Sequence, residues 1–256
     1  MEIFYAIILG IVQGLSEFLP ISSSGHLLLL ERLGVGTPDL FFNVMLHVGT
    51  LLAVLVALAK IWLPLVRHPL QKTNGFLLLS CLATLPLAAL FKFVFPTLLD
   101  GKMLGFGFVL TATLLFVGEN FQIAKNNVLS VKTSILSGVL QGIAVLPGVS
   151  RSGATISCLT FLGVPKKDAA SFSFLMSIPI ILGSAALETT DVFKGGFSVS
   201  LPWYCVLVGV LFSFVSGLVA IKFFLKLVEK HSLRLFMVYT ALLGIVVSLL
   251  PLIANF

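Results

Sequence analysis

Residues 16–27 read SEFLPISSSGHL, and how this stretch sits in the molecule decides the fold. It sets a glutamate, a proline, four serines and a histidine inside an otherwise almost unbroken apolar run. The surrounding chain of 256 residues is 58% hydrophobic and 10% charged, with a mean hydropathy of +1.14. A soluble domain does not carry that composition. Apolar stretches of about 20 residues recur, long enough to cross a hydrocarbon core of about 30 Å. The sequence therefore predicts a polytopic membrane protein surrounded by lipid bilayer. The net charge of +6 does not point to nucleic acid, because Lys and Arg sit mostly in short loops between apolar segments. The start lacks a basic n-region and a small-residue cleavage site, so the first helix is read as part of the mature fold. Cys81, Cys158 and Cys205 lie far apart within apolar segments. They read as packing residues rather than as a disulfide or metal framework.

Six segments are long enough to span: 39–63, 75–97, 103–122, 168–188, 202–226 and 233–254. KTNG, LDGK and ETTDVFKGGFS mark boundaries between them. Two further apolar stretches, 1–33 and 130–163, are broken at mid-depth, by EFLPISSSGH and by LPGVSRSGAT. Each half of such a stretch is too short to cross alone, so each stretch reads as a re-entrant hairpin. Irregular backbone at that depth is tolerated only inside protein or beside a water-filled cavity.

The two breaks superpose without a gap. QGLSEFLPISSSG (13–25) lies over QGIAVLPGVSRSG (141–153) at a constant offset of 128, half the chain, with Gln, Gly, two serines and the final Gly coinciding. Three spans follow each copy, and an odd number inverts the second half relative to the first. The expected architecture is a single all-α membrane domain, 1–256, of six transmembrane helices plus two re-entrant helical hairpins in an inverted-topology repeat (1–128 and 129–256). Loops on one predicted side carry Lys60, Arg67, Lys72, Lys125, Lys132, Lys166, Lys167, Lys222, Lys226, Lys230 and Arg234. The other side has Arg32, Lys92, Lys102 and Lys194, accompanied by Glu2, Glu31, Asp39, Asp100, Glu188 and Asp191. The positive-inside rule makes the first set cytoplasmic and places both termini outside.

Glu17 and Arg151 are the ionisable residues deepest within apolar sequence. A charge there costs at least about 2.5 kcal/mol, so it implies function or a neutralising partner, and a structural Glu17–Arg151 staple is the bland alternative. Gln13 and Glu17, four residues apart, share one helix face. Ser22, Ser23, Ser24 and His26 follow at once, bringing the parts that activate a nucleophile and move a proton. Helix capping explains some of the serines without any chemistry, Ser24 first among them. In the second break Gly148 and Gly153 permit close backbone approach. Ser150, Ser152 and Thr155 supply donors and Arg151 a bidentate cation, all before a helix N-terminus. That set suits a phosphate. His47, inside the first span, reads as a packing or hydrogen-bonding residue, with a place lining the cavity as the alternative, and Glu119 reads as an interfacial stop.

Together, QGLSE with FLPISSSGH directly after it, PGVSRSGAT, and FNVMLHVGTLLAVL (42–55) resemble the undecaprenyl-diphosphate phosphatase, or bacitracin-resistance, family over essentially the whole chain. Gln13, Glu17, Pro147, Gly148, Ser150, Arg151, Ser152 and Thr155 match its two signature regions position by position. The resemblance implies removal of the terminal phosphate from undecaprenyl diphosphate in the bacterial inner membrane. The product is the monophosphate carrier lipid of peptidoglycan synthesis, and the activity confers bacitracin resistance. Glu17, Ser23, His26 and Arg151 would be the catalytic set, with Gln13, Ser22, Ser24, Gly148, Ser150, Ser152, Gly153 and Thr155 around the phosphates. A divalent cation, Mg or Ca, near Glu17 is implied, and no organic cofactor. A homodimer is compatible with the resemblance. Gln13 stands where many relatives have a second Glu; an amide is no base, so its role is hydrogen bonding or metal ligation.

Ser23 is the better candidate nucleophile, while direct attack by His26, with Ser23 positioning the phosphate, stays open at this stage. Broken helices meeting at midplane are also a transporter architecture, so the rival reading is a polyprenyl-phosphate flippase, alone or beside hydrolysis. An ion channel is disfavoured, because no ring of like polar residues lines any span.

Overall fold

The computed structural model describes residues 2–36, 39–124, 128–194 and 201–253, with backbone alone at 187–194 and 251–253. The fold is all-helical, with no strand among the described residues. In chain order the helices are α1 (Glu2–Phe18), α2 (Ser23–Arg32), α3 (Leu40–Ala57), α4 (Ala59–Arg67), α5 (Lys72–Ala89), α6 (Leu104–Asn120), α7 (Val131–Ile143), α8 (Arg151–Phe161), α9 (Lys166–Lys194), α10 (Trp203–Lys230) and α11 (Arg234–Ile253). Four of the segments are long and apolar enough to cross a membrane: Leu40–Ala57, Lys72–Val94, Lys166–Ala186 and Trp203–Lys230. Leu104–Asn120 and Arg234–Leu250 are shorter apolar helices.

Both polar breaks are observed as helix–turn–helix units. α1 ends before Pro20, which has no amide hydrogen to continue the ladder, and the chain turns through Ser22 at φ 72°. Ser22 then caps α2, its Oγ accepting from Gly25 N at 3.3 Å. In the second break the turn passes through Gly148 at φ 87°, and Ser150 caps α8 by accepting from Gly153 N at 3.1 Å. The caps coincide at the offset of 128; the left-handed residue does not.

The expected span 39–63 is two helices, because α3 stops at Ala57 and α4 starts at Ala59. The Trp62 indole accounts for this break locally: its Nε1 donates to Leu55 O at 2.7 Å, satisfying a carbonyl that a continuous helix would pair with residue 59. α5 passes directly into a π turn over Leu90–Val94, and the chain leaves it at Pro96. The boundary expected at ETTDVFKGGFS is helical through Lys194. Residues 195–200 lie outside the description, as does Lys125 of the charge count.

Packing exchanges partners between the halves. α1 lies along α10 and α7 along α5. Gly10 and Gly138, also 128 apart, sit at the two contacts. A Cβ on Gly10 would stand 2.6 Å from Gly209 O, and one on Gly138 2.2 Å from Ser80 O. Hydroxyls cross the same contacts, Thr84 Oγ1 donating to Gly138 O at 3.0 Å and Ser216 Oγ to Gly10 O at 3.4 Å. Small residues and interhelical hydroxyls of this kind hold helices together where lipid removes the hydrophobic drive. The main core runs from Phe18 through Phe174 and Phe224 to Phe236. Leu207, Leu211, Leu235, Val238, Leu242 and Leu249 are exposed on the outer faces of α10 and α11, a surface suited to lipid rather than water.

Candidate active site

The two breaks touch. A Cβ on Gly25 would lie 3.0 Å from Gly148 Cα, and one on Gly153 3.4 Å from Pro20 Cβ. Ser152 Oγ donates to Leu19 O at 3.1 Å, tying the second break to the turn of the first. α6 backs this junction: Thr111 Oγ1 donates to Gly148 O at 3.0 Å and accepts from Ser150 N at 2.8 Å.

Glu17, at the end of α1, is the hub. Its Oε2 accepts from Ser23 Oγ at 2.5 Å and from Gln13 Nε2 at 3.1 Å, and its Oε1 accepts from Arg151 Nη2. The carboxylate is 7% exposed and the guanidinium 14%. The ion pair set aside as the bland alternative therefore exists, and the same carboxylate also holds a serine hydroxyl in the geometry of a base and a nucleophile. Ser23 and Arg151 are the first residues of α2 and α8, so two helix N-termini, each attractive to negative charge, open at the site. Arg151 Nη1 is buried without a hydrogen-bond partner, a donor left for an anion.

His26 is fixed at both nitrogens. Nδ1 lies 2.7 Å from Ser22 O and Nε2 2.7 Å from Tyr239 Oη. A carbonyl only accepts, so in the neutral ring Nδ1 carries the hydrogen and Nε2 accepts from the tyrosine. The Tyr239 ring lies nearly parallel to the imidazole, at 11° with 5.7 Å between centroids, and Phe108 meets it edge-on at 5.4 Å.

Gln13 is fully buried. Because its Nε2 faces the carboxylate, the second amide hydrogen goes to His47 Nδ1, 2.5 Å away. Its Oε1 is buried without a partner. The remaining expected residues are occupied with the scaffold. Ser22 and Ser150 cap their helices, and Ser24 Oγ lies 3.5 Å from Ser22 Oγ. Thr155 donates to Arg151 O at 2.9 Å and meets Ser173 Oγ at 2.6 Å. His47 and Tyr239 were not singled out as site residues from the sequence. His47 carried a signal, a histidine inside an apolar helix; Tyr239 carried none beyond its phenol. Glu119 pairs with Lys166 at 2.8 Å and accepts from Leu233 N at 3.3 Å, in keeping with an interfacial role. No three His, Cys, Asp or Glu side chains among the described residues converge as metal ligands. All three cysteines are free.

Residues 6–246 match the family model described as bacitracin resistance protein BacA. A protein of Halothermothrix orenii named undecaprenyl-diphosphatase is 36% identical over 256 residues, covering 98% of each chain. Proteins of the same name from Carboxydothermus hydrogenoformans and Korarchaeum cryptofilum are 35% and 38% identical, covering 100% and 96% of this chain and 100% and 98% of their own.

Proposed function

Because this chain belongs to the bacitracin resistance protein BacA family, we propose that it is an integral-membrane phosphatase that converts undecaprenyl diphosphate to undecaprenyl phosphate and inorganic phosphate. This recycles the carrier lipid for peptidoglycan synthesis and so confers bacitracin resistance. The observation that carries the reading is the hydrogen bond from Ser23 to a carboxylate whose other oxygen holds Arg151. A transporter needs the cation; it does not need a hydroxyl poised on a base.

In the reaction we propose, Arg151 and the N-termini of α2 and α8 hold the diphosphate and spread charge away from the transferring group. Ser23 Oγ attacks the terminal phosphorus while its proton passes to Glu17 Oε2. The bond to the bridging oxygen breaks and undecaprenyl phosphate leaves. Water then attacks the phosphoserine, its proton passing to Nε2 of His26 as the Tyr239 hydroxyl gives up that lone pair; Ser23 recovers its hydrogen from Glu17 as phosphate departs, and His26 returns its proton to water. A divalent cation, Mg or Ca, would be held by Glu17 and Oε1 of Gln13, with water and substrate phosphate completing its shell. It would supply charge neutralisation at the phosphates.

The finer architecture belongs to the same proposal: six spans and two re-entrant hairpins in an inverted repeat. The coincident caps and the exchanged packing at Gly10 and Gly138 support it. The protein would lie in the bacterial inner membrane with both termini outside and the site open to that side. Phosphate release from polyprenyl diphosphate by the detergent-purified chain tests the function, since no gradient exists there. Turnover abolished by Glu17→Ala and Arg151→Ala is the expected result.

A further inference from the structure

We infer that the outer face of α11 around Tyr239 is the docking surface for the polyprenyl chain of the substrate, an assignment that rests on the phosphatase reading. A diphosphate held between Ser23 and Arg151 has an isoprenoid chain attached, and that chain belongs in lipid. The protein must therefore open to the membrane close to the catalytic side chains. Of the side chains hydrogen-bonded to, or in ring contact with, Glu17 and His26, Gln13 and Phe108 are fully buried, whereas Tyr239 is 43% exposed. Among the described contacts, the catalytic set thus reaches the apolar surface at Tyr239.

The neighbours of Tyr239 say which solvent lies there. Leu235, four residues before it, and Leu242, three after, share its face of the helix. Both are exposed, and so is Val238. A side chain with an apolar ring and a polar tip suits such a border, its ring toward lipid and its hydroxyl on the imidazole. Ser24 of the first polar break is exposed as well, and its hydroxyl suits water, so water and lipid reach the break at two different places. Exposed apolar surface alone would not single out α11. Leu78, Leu82 and Leu85 make a comparable face on α5, but α5 packs on α7 and α9, and among the described residues none of its side chains bonds to the catalytic set. A chain tethered to a phosphate in the site can lie only along the face continuous with that site, and the hydrogen bond of 2.7 Å from Tyr239 to His26 makes α11 that face.

The probe is a polyprenyl methylenediphosphonate carrying a diazirine on its first isoprene unit, photolysed with the purified full-length chain and located by peptide mapping. We expect label on residues 235–242, removed by excess unlabelled diphosphonate and retained against excess free polyprenol, with residues 78–85 of α5 unlabelled. Label that spares 235–242, that spreads equally over both faces, or that polyprenol displaces as well as the diphosphonate does overturns the assignment, the last because it makes the face ordinary lipid contact. Leu235→Ala combined with Leu242→Ala is expected to raise KM for long-chain polyprenyl diphosphate about three- to tenfold, and KM for geranyl diphosphate by less, the mark of a contact made with the chain. An equal rise for both substrates, or an unchanged KM for the long chain, overturns it. If that variant does not fold, the label map on the wild type decides. A wild type that releases no phosphate defeats the phosphatase reading instead, and the label map still reports where the chain lies.

Discussion

Ser23 and Arg151 occupy the same place in the two polar breaks, 128 residues apart, each the first residue after a capping serine, and both donate to the one carboxylate of Glu17. Two turns with coincident caps thus present different chemistry to one point: a hydroxyl from one, a guanidinium from the other. The remainder of each turn, caps and glycines, places these two side chains.

The ion pair and the catalytic role separate by mutation. Glu17→Gln leaves the buried Arg151 unpaired and should cost about 3–5 kcal/mol of stability, read as a lower unfolding temperature in detergent. Glu17→Gln combined with Arg151→Gln should regain most of that stability and none of the phosphate release. Recovered activity in the double variant would assign the pair to scaffolding alone.

The serines of the first turn should not behave alike. Ser23→Ala is expected to lower turnover by at least about 100-fold with the fold intact. Ser22→Ala removes the α2 cap and should cost about 1 kcal/mol of stability with far less effect on rate. Thermal unfolding and phosphate release on both variants give the comparison, and equal losses of rate would contradict it.

Gly10→Val and Gly138→Val should be damaging to a similar degree. Each would drive a side chain against a backbone carbonyl across a contact between the halves, and overpacking of this kind costs about 1–3 kcal/mol or more. Yield of monodisperse protein in detergent is the readout. Gly75→Val, where a Cβ meets nothing within 4 Å, is the control expected to express normally.

His47 is expected to matter through Gln13. His47→Leu withdraws the acceptor that fixes the amide and should lower kcat about tenfold, while His47→Gln, which can still accept from it, should restore most of the rate. Steady-state kinetics on the pair would show whether an acceptor, rather than mere bulk, is what position 47 supplies.

Much of the site was legible in the sequence because its chemistry is concentrated in two short breaks: a polar dozen in an apolar chain has few physical excuses. Gln13, Glu17, Ser23 and Arg151 are gathered as the spacing suggested, and the helical class follows from hydropathy. Tyr239 and His47 were not legible as partners, because they reach the site through helix packing that no local spacing encodes. The stop at Leu58 was hidden for a different, local reason: a side chain folding back, Trp62 onto Leu55 O, is not a compositional signal. The exchanged packing left a trace after the fact, for Gly10 and Gly14 recur as Gly138 and Gly142 at the motif's own offset.

In the proposed mechanism Ser23 attacks while Glu17 and Arg151 prepare the reaction. Brief incubation of the purified chain with polyprenyl diphosphate labelled on its terminal phosphate, acid quench and peptide mapping test it most directly. We predict label on Ser23, absent from Ser23→Ala, which no longer turns over. Label on His26, or a Ser23→Ala protein hydrolysing at the wild-type rate, would contradict the account.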